Sequence, residues 1–309
     1  MAQDITLFDL SDYQENPALN QYINWIALKG DPFNFQGGWI KVSEGSIQPG
    51  APGAYDIEGP RRQYAGARSV KFPVINGYHF WWYEYWGLVN GAYQWIPIPG
   101  DDQAAAFFAA YQAAGIPTVR TYDKDLADWR ACHPMADLED PLIVRQFNWG
   151  DTANANRSLV IASAMNKNLY QYFTGIKGRF GVYPDAYSGD WWLKQWFPFL
   201  KYYRPDEVLW WDDINFILAD YDGTFTMPTY IKPAQVIGWQ KTSTPDHNVA
   251  GIPTGHVKPG DAFDVDQWMG LQAAYDLWRT GAHVVTVDER LSNLEKWGIT
   301  MGYDPNKQY

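Results

Sequence analysis

The tripeptide Asp137-Leu138-Glu139, set between the apolar Pro134-Met135-Ala136 and Asp140-Pro141, places two acids two positions apart. On a β-strand such residues face the same side, so both carboxylates would enter one space, roughly 6.5–7 Å apart along the backbone. Two acids held that way cannot both ionise freely, and one is pushed toward a protonated, proton-donating state near neutral pH. An acid paired with a carboxylate is what cleavage of a glycosidic bond uses. An isolated Asp-x-Glu more often marks two solvated acids at a strand end, so its meaning depends on the segments around it.

Those segments come in a definite order. Ile5-Thr6-Leu7-Phe8-Asp9-Leu10-Ser11 reads as an apolar strand ending in Asp and Ser, followed by Tyr13-Gln14. Next stand Trp39-Ile40-Lys41-Val42-Ser43-Glu44-Gly45 and Gly77-Tyr78-His79-Phe80, and then the Asp137/Glu139 segment. Phe180-Gly181-Val182-Tyr183, Val208-Leu209-Trp210-Trp211, Gly238-Trp239-Gln240 and Phe263-Asp264-Val265-Asp266 complete the series. This succession resembles the glycoside hydrolase family 25 muramidases, the lysozymes of bacteria and their phages. The family pattern runs Asp-x-Ser-x-x-Gln, Lys-Ala-Thr-Glu-Gly, Tyr-His-Phe, Asp-x-Glu, a Gly-x-Tyr strand, Trp-Gln and a closing Val-Asp-x-Asn. About residues 4–270 are covered. Asp266 stands where the pattern has Asn, and Ala136 where a larger residue is common.

The resemblance implies cleavage of the β-1,4 bond between N-acetylmuramic acid and N-acetylglucosamine in peptidoglycan. It assigns Glu139 as the general acid and Asp137 as support for a substrate-assisted path, with Asp9 and Asp264 tuning the field and positioning substrate or water. Glu44, Tyr78, Tyr183, Trp211, Trp239 and Gln240 become candidates for substrate contact. Trp210 and Trp211 alternate faces, so only one of them can point inward.

Aromatic density points the same way. The 17 Trp and 21 Tyr include Trp81-Trp82-Tyr83-Glu84-Tyr85-Trp86 and Tyr93-Gln94-Trp95. Aromatic faces stack on the apolar C–H patches of sugar rings, so Trp81, Trp82 and Trp86 are candidates for a glycan groove, with burial in the core as the alternative for each.

Composition narrows the partners. The chain has 309 residues, 46% hydrophobic, enough for one large core. A net charge of −11 offers no Lys/Arg stripe for a phosphate backbone, so nucleic acid is not an expected partner. Cys132 is the only cysteine, which leaves no intramolecular disulfide, and it reads as a packed small residue. The histidines, His79, His133, His247, His256 and His283, show no metal-ligand spacing, and neither a metal nor a cofactor is called for. No basic and apolar leader opens the chain, and no run of about 18 apolar residues could span a membrane. The expectation is synthesis in the cytoplasm without a signal peptide and action at the bacterial wall, with a phage lysin as one such setting.

The positioning elements follow from pattern. Strands are expected to end near Ser11, Glu44, Phe80, Glu139 and Tyr183, with helices over Pro17–Leu28, Asp101–Ala114 and Ala155–Ile176 between them. Asn16 and Pro17 supply an N-cap and a first helical residue. A helix interrupted by Pro198 is expected over Trp191–Tyr203, then a strand at Val208–Asp213. Gly, Pro, Thr and Asp dominate from Ile214 to Pro233 and from Thr242 to Asp261, which read as loops. The expected fold class is α/β: a single irregular TIM-like barrel of about five β/α units followed by three strands with little helix. The barrel would occupy residues 1–280, its active residues on the rim at the strand C-termini. Residues 281–309 would form a helical extension, since Thr286-Val287-Asp288-Glu289 has capping-box spacing and Leu291, Leu294 and Trp297 recur at helical intervals. The extension would dock on the barrel, with self-association or attachment to a larger particle as the alternative.

Two other functions compete. A non-catalytic glycan-binding or structural particle protein could use the same barrel, although Asp9, Asp137, Glu139 and Asp264 are all intact. A hydrolase of chitin or another amino sugar would keep the mechanism, yet the longer Asp-x-x-Asp-x-Asp-x-Glu run of such chitinases is absent.

Overall fold

The apolar run at the N-terminus becomes a strand buried along its whole length, and the rest of the sheet is built outward from it. The computed structural model describes residues 5–11, 14–45, 57–82, 84–138, 185–189, 214–219, 225, 227, 231–242, 249–253, 263–270 and 272–281. In chain order the elements are β1 (Thr6–Leu10), α1 (Trp25–Lys29), β2 (Phe35–Glu44), α2 (Glu58–Ser69), β3 (Val74–Phe80), β4 (Glu84–Val89), β5 (Ala92–Pro97) and α3 (Gly100–Ala113). There follow β6 (Thr121–Asp123), β7 (Asp128–Arg130), β8 (Met135–Asp137), β9 (Asp185–Gly189), β10 (Asn215–Ala219), β11 (Val236–Thr242), β12 (Asp264–Trp268) and α4 (Gln272–Thr280).

Eight strands pair in the order β1-β12-β11-β10-β9-β8-β3-β2, and β2 pairs back to β1. All neighbours are parallel except β12, which runs antiparallel to both β1 and β11. The expected TIM-like barrel of successive β/α units is therefore corrected to a curled, strand-rich mixed sheet with four α-helices among the described residues. The β3-to-β8 connection carries two hairpins, β4–β5 and β6–β7, in addition to α3. An apolar run announces a strand but not its direction, so the antiparallel β12 was not visible in the pattern.

Alternation along the strands sorts the core into two layers. Phe8 and Leu10 of β1, Ile40 and Val42 of β2 and Ile75 of β3 face outward against Phe107 and Tyr111 of α3, Phe72 and Leu28. Leu7, Trp39, Tyr78, Met135 and Ile217 face inward. Trp278 of α4 closes that interior at the N-terminal end of the parallel strands, its ring centroid 5.1 Å from Trp268 and 6.0 Å from Trp39. The β6–β7 hairpin holds α4 in place through an Arg279–Asp128 ion pair at 2.8 Å and an Ala131 N–H bond to the Arg279 carbonyl at 2.8 Å.

Two glycines let β2 fit between its neighbours. A Cβ on Gly38 would lie 1.8 Å from the Phe8 carbonyl oxygen, and one on Gly37, whose φ is +115°, 1.7 Å from that of Val74. The register shifts between Thr6 and Phe8 at this approach.

Other expectations meet the structure unevenly. The helix over Pro17–Leu28 divides into a 3₁₀ turn, Pro17–Leu19, and α1. Asn16 caps the turn by accepting from Leu19 N, left-handed Asn20 ends it, and Asn24 restarts the helix by accepting from Ala27 N at 3.2 Å. β10 lies in a stretch read as loop. Its residues Asn215–Leu218 are all buried, and a strand covered on both faces shows no alternation to read. The expected elements at 155–176, 180–183, 191–203 and 208–213, and the extension beyond residue 281, lie outside the described residues.

Candidate active site

The acids that the sequence singled out gather where the parallel strands end. Asp9 is near the end of β1, Asp137 closes β8, and Asp264 opens the antiparallel β12, so all three reach the same rim. Asp9 and Asp264 are direct cross-strand partners and face the same side. Asp137 follows the inward Met135 by two positions, which places it on the inward face as well. Asp9 and Asp137 are both buried. Glu139 lies outside the described residues.

Burial pushes the Asp264 carboxyl up to about 6. Asp266, two residues deeper on the same face, is raised well above the ordinary carboxylate range by burial and by the charge of Asp264. Gln240 of β11 is the register partner of Asp266 and is likewise buried. Among the described residues no three His, Cys, Asp or Glu side chains gather in a way that could hold a metal ion.

Around the acids, Glu44 ends β2 and pairs with Lys41, whose ammonium group also sits 4.8 Å from the centre of the Phe80 ring. Lys41 is buried, and sequence reasoning gave it no role, because a lysine three residues before a glutamate carries no signal of such a pairing. Tyr78 is buried in the inward layer. Trp81 is fully buried in the outward layer, whereas Trp82 is partly exposed. Trp239 packs its ring against Phe225 with centroids 5.7 Å apart. Trp86 pairs with Trp95 across the β4–β5 hairpin; its side chain, Tyr183 and Trp211 lie outside the described residues.

The motif residues that carry no charge hold the rim in shape. Gln14 Oε1 accepts from Ser11 N at 2.6 Å and Ser11 Oγ at 3.0 Å, and Gln63 Nε2 donates to the Ser11 carbonyl at 2.9 Å, tying Ser11 to Gln14 and α2 just after Asp9. A second network centres on His79. Gln103 Nε2 donates to the carbonyls of Trp82 and Ile98, so its Oε1 is the acceptor for Trp82 N at 3.0 Å and for His79 Nε2 at 3.2 Å. His79 Nδ1 then accepts from Ser43 Oγ at 2.8 Å. Burial lowers the His79 pKa to about 4 and keeps the ring neutral. The Trp81 N–H held by this turn donates to the Asp137 carbonyl at 3.0 Å, linking the network to an acid of the rim.

No family model matches the sequence, and no curated protein does. Two solved structures are similar in fold. One is the bacterial lysozyme from Streptomyces coelicolor, with a TM-score of 0.55 at 14% identity, covering 90% of this chain and 98% of that one. The other is a family GH25 lysozyme from Aspergillus fumigatus, with a TM-score of 0.52 at 16% identity, covering 90% and 99%. The chain thus has the fold of these two lysozymes.

Proposed function

We propose that this chain is a peptidoglycan hydrolase of the family 25 type, cleaving the β-1,4 bond between N-acetylmuramic acid and N-acetylglucosamine. The observation that carries the reading is the meeting of Asp9, Asp137 and Asp264 on the inward face of one rim, in a fold shared with two lysozymes. Glu139 is the general acid that protonates the leaving oxygen, an assignment resting on the Asp-x-Glu motif. Asp137 faces the positive charge that develops as the substrate's own N-acetyl group attacks, so one enzyme carboxylate steadies a cation and need not bond to the sugar. Asp9 and Asp264 sharpen that field and orient substrate or water.

Partly exposed Trp82 and Glu44 support a groove along the rim, to which Gln240, Trp86, Tyr183 and Trp211 add candidate contacts. The partner is a neutral-backbone glycan carrying acidic peptides, met by an acidic protein, so encounter should quicken when salt screens their repulsion. Purified peptidoglycan and chitin oligomers, each assayed for new reducing ends, test the reading. Muramic acid at the new ends supports it. Cleavage of chitin alone moves the activity to another amino sugar, and binding without cleavage makes the protein a glycan binder.

A further inference from the structure

Asp266 has no part in the chemistry above, yet it sits directly beneath it. The residue is 2% exposed, and its Oδ1 has no hydrogen-bond partner among the described residues. The register gives it Leu7 on β1 and Gln240 on β11 as neighbours, while Asp9 on β1 faces Asp264. Lys241 follows Gln240 at an irregularity in the register, and Lys41 of β2 is already paired with Glu44. Asp137 adds a further acid from β8. An ionised carboxylate here would combine near-complete burial with an acid two residues away on the same face, and both disfavour the charge. The family pattern has Asn at this position, a neutral side chain of the same size.

We propose that Asp266 is a positioning residue that works as a protonated, neutral acid, standing in for an amide beneath Asp264 and leaving Asp264 to hold the single negative charge of the pair. This rests on the proposed hydrolase reading for its catalytic meaning, but not for its physical content. Asp264 is nearer the rim and ionises first; the upward displacement of Asp266 by burial and by that charge agrees with the order. Loss of the second proton would place two charges on one strand face and disturb the geometry of Asp264.

An acid whose folded-state pKa lies above its unfolded value of about 3.9 contributes stability below that value and loses it as pH rises through the folded pKa. Denaturant unfolding of the full chain and of D266N, from pH 4 to pH 9, should show the variant gaining on the parent by up to about tenfold in folding equilibrium per pH unit until Asp266 ionises. The two should converge toward pH 4, apart from a constant offset. A difference that does not change with pH overturns the proposal. Should D266N fail to fold, carboxyl-carbon NMR of the parent reads the same titration directly, and an Asp266 that ionises in the ordinary carboxylate range overturns it equally. For the positioning role, the alkaline fall in kcat/KM on peptidoglycan should be shallower in D266N, and superimposable profiles reject it. A parent that titrates late at Asp266 yet cleaves no glycan rejects the hydrolase reading and not the protonated acid.

Discussion

Acidification should unfold this protein in part through one histidine. His79 is completely buried between Ser43 and Gln103, with its ring 5.5 Å from that of Phe107, and burial holds its pKa at about 4 against an ordinary 6.5. Between those values the unfolded chain takes up a proton that the folded chain refuses. The stability from neutral His79 is thus fully present above pH 6.5 and is lost as pH falls toward 4. At about 1.4 kcal/mol per pH unit, the loss across that window is at most about 3.5 kcal/mol, a large share of the stability of a domain. Asp264 and Asp266 tilt the same window the other way, because their raised values favour the folded state in acid. The comparison that isolates His79 is therefore H79Q against the parent, by urea unfolding at half-unit steps from pH 4 to 8. H79Q starts lower, having lost the packing on Phe107, but the gap should narrow by up to about 3.5 kcal/mol toward pH 4. Curves that run parallel throughout would refute the buried neutral ring.

Asp123→Ala should cost about 3–5 kcal/mol in urea unfolding, because it strips the partner from Arg130, a buried residue whose guanidinium is bonded to Asp123 at 2.5 Å. Trp81→Ala should destabilise by about 3–5 kcal/mol, since its ring is wholly inside the outward layer. Trp82→Ala should leave the fold intact and weaken glycan binding by ~1–3 kcal/mol, by analogy with stacking of bases on aromatics; unchanged binding by titration calorimetry would remove Trp82 from the groove.

Much of the rim was legible because each piece is local. Ser11 and Gln14 bond to each other just after Asp9, and β2 and β3 end at Glu44 and Phe80 as their apolar runs suggested. The architecture was legible only in part. The seven parallel strands gave no sign that β12 would close the sheet in the opposite direction, and β10 hid in a stretch rich in turn residues because both its faces are covered. Long-range pairings were the least visible of all. Gln103 reaches back to Trp82 and His79 from 21 and 24 residues away, and nothing in the spacing of a glutamine on a helix announces that. Trp81 and Trp82 are identical and adjacent, yet one is wholly buried and the other partly exposed.

Initial rates of reducing-end release from purified peptidoglycan by the parent, Glu139→Gln and Asp137→Asn test the central claim most directly. Glutamine keeps the shape and hydrogen-bonding capacity of Glu139 but carries no titrating proton, so the rate should fall by ~10²–10⁴-fold while pull-down by the glycan persists. Asp137→Asn should also slow the reaction, and the double variant should lose less than the product of the two, because the pair acts as a unit. The alkaline limb set by the general acid should vanish from the residual activity of Glu139→Gln. Hydrolysis by Glu139→Gln at the parental rate would contradict the account.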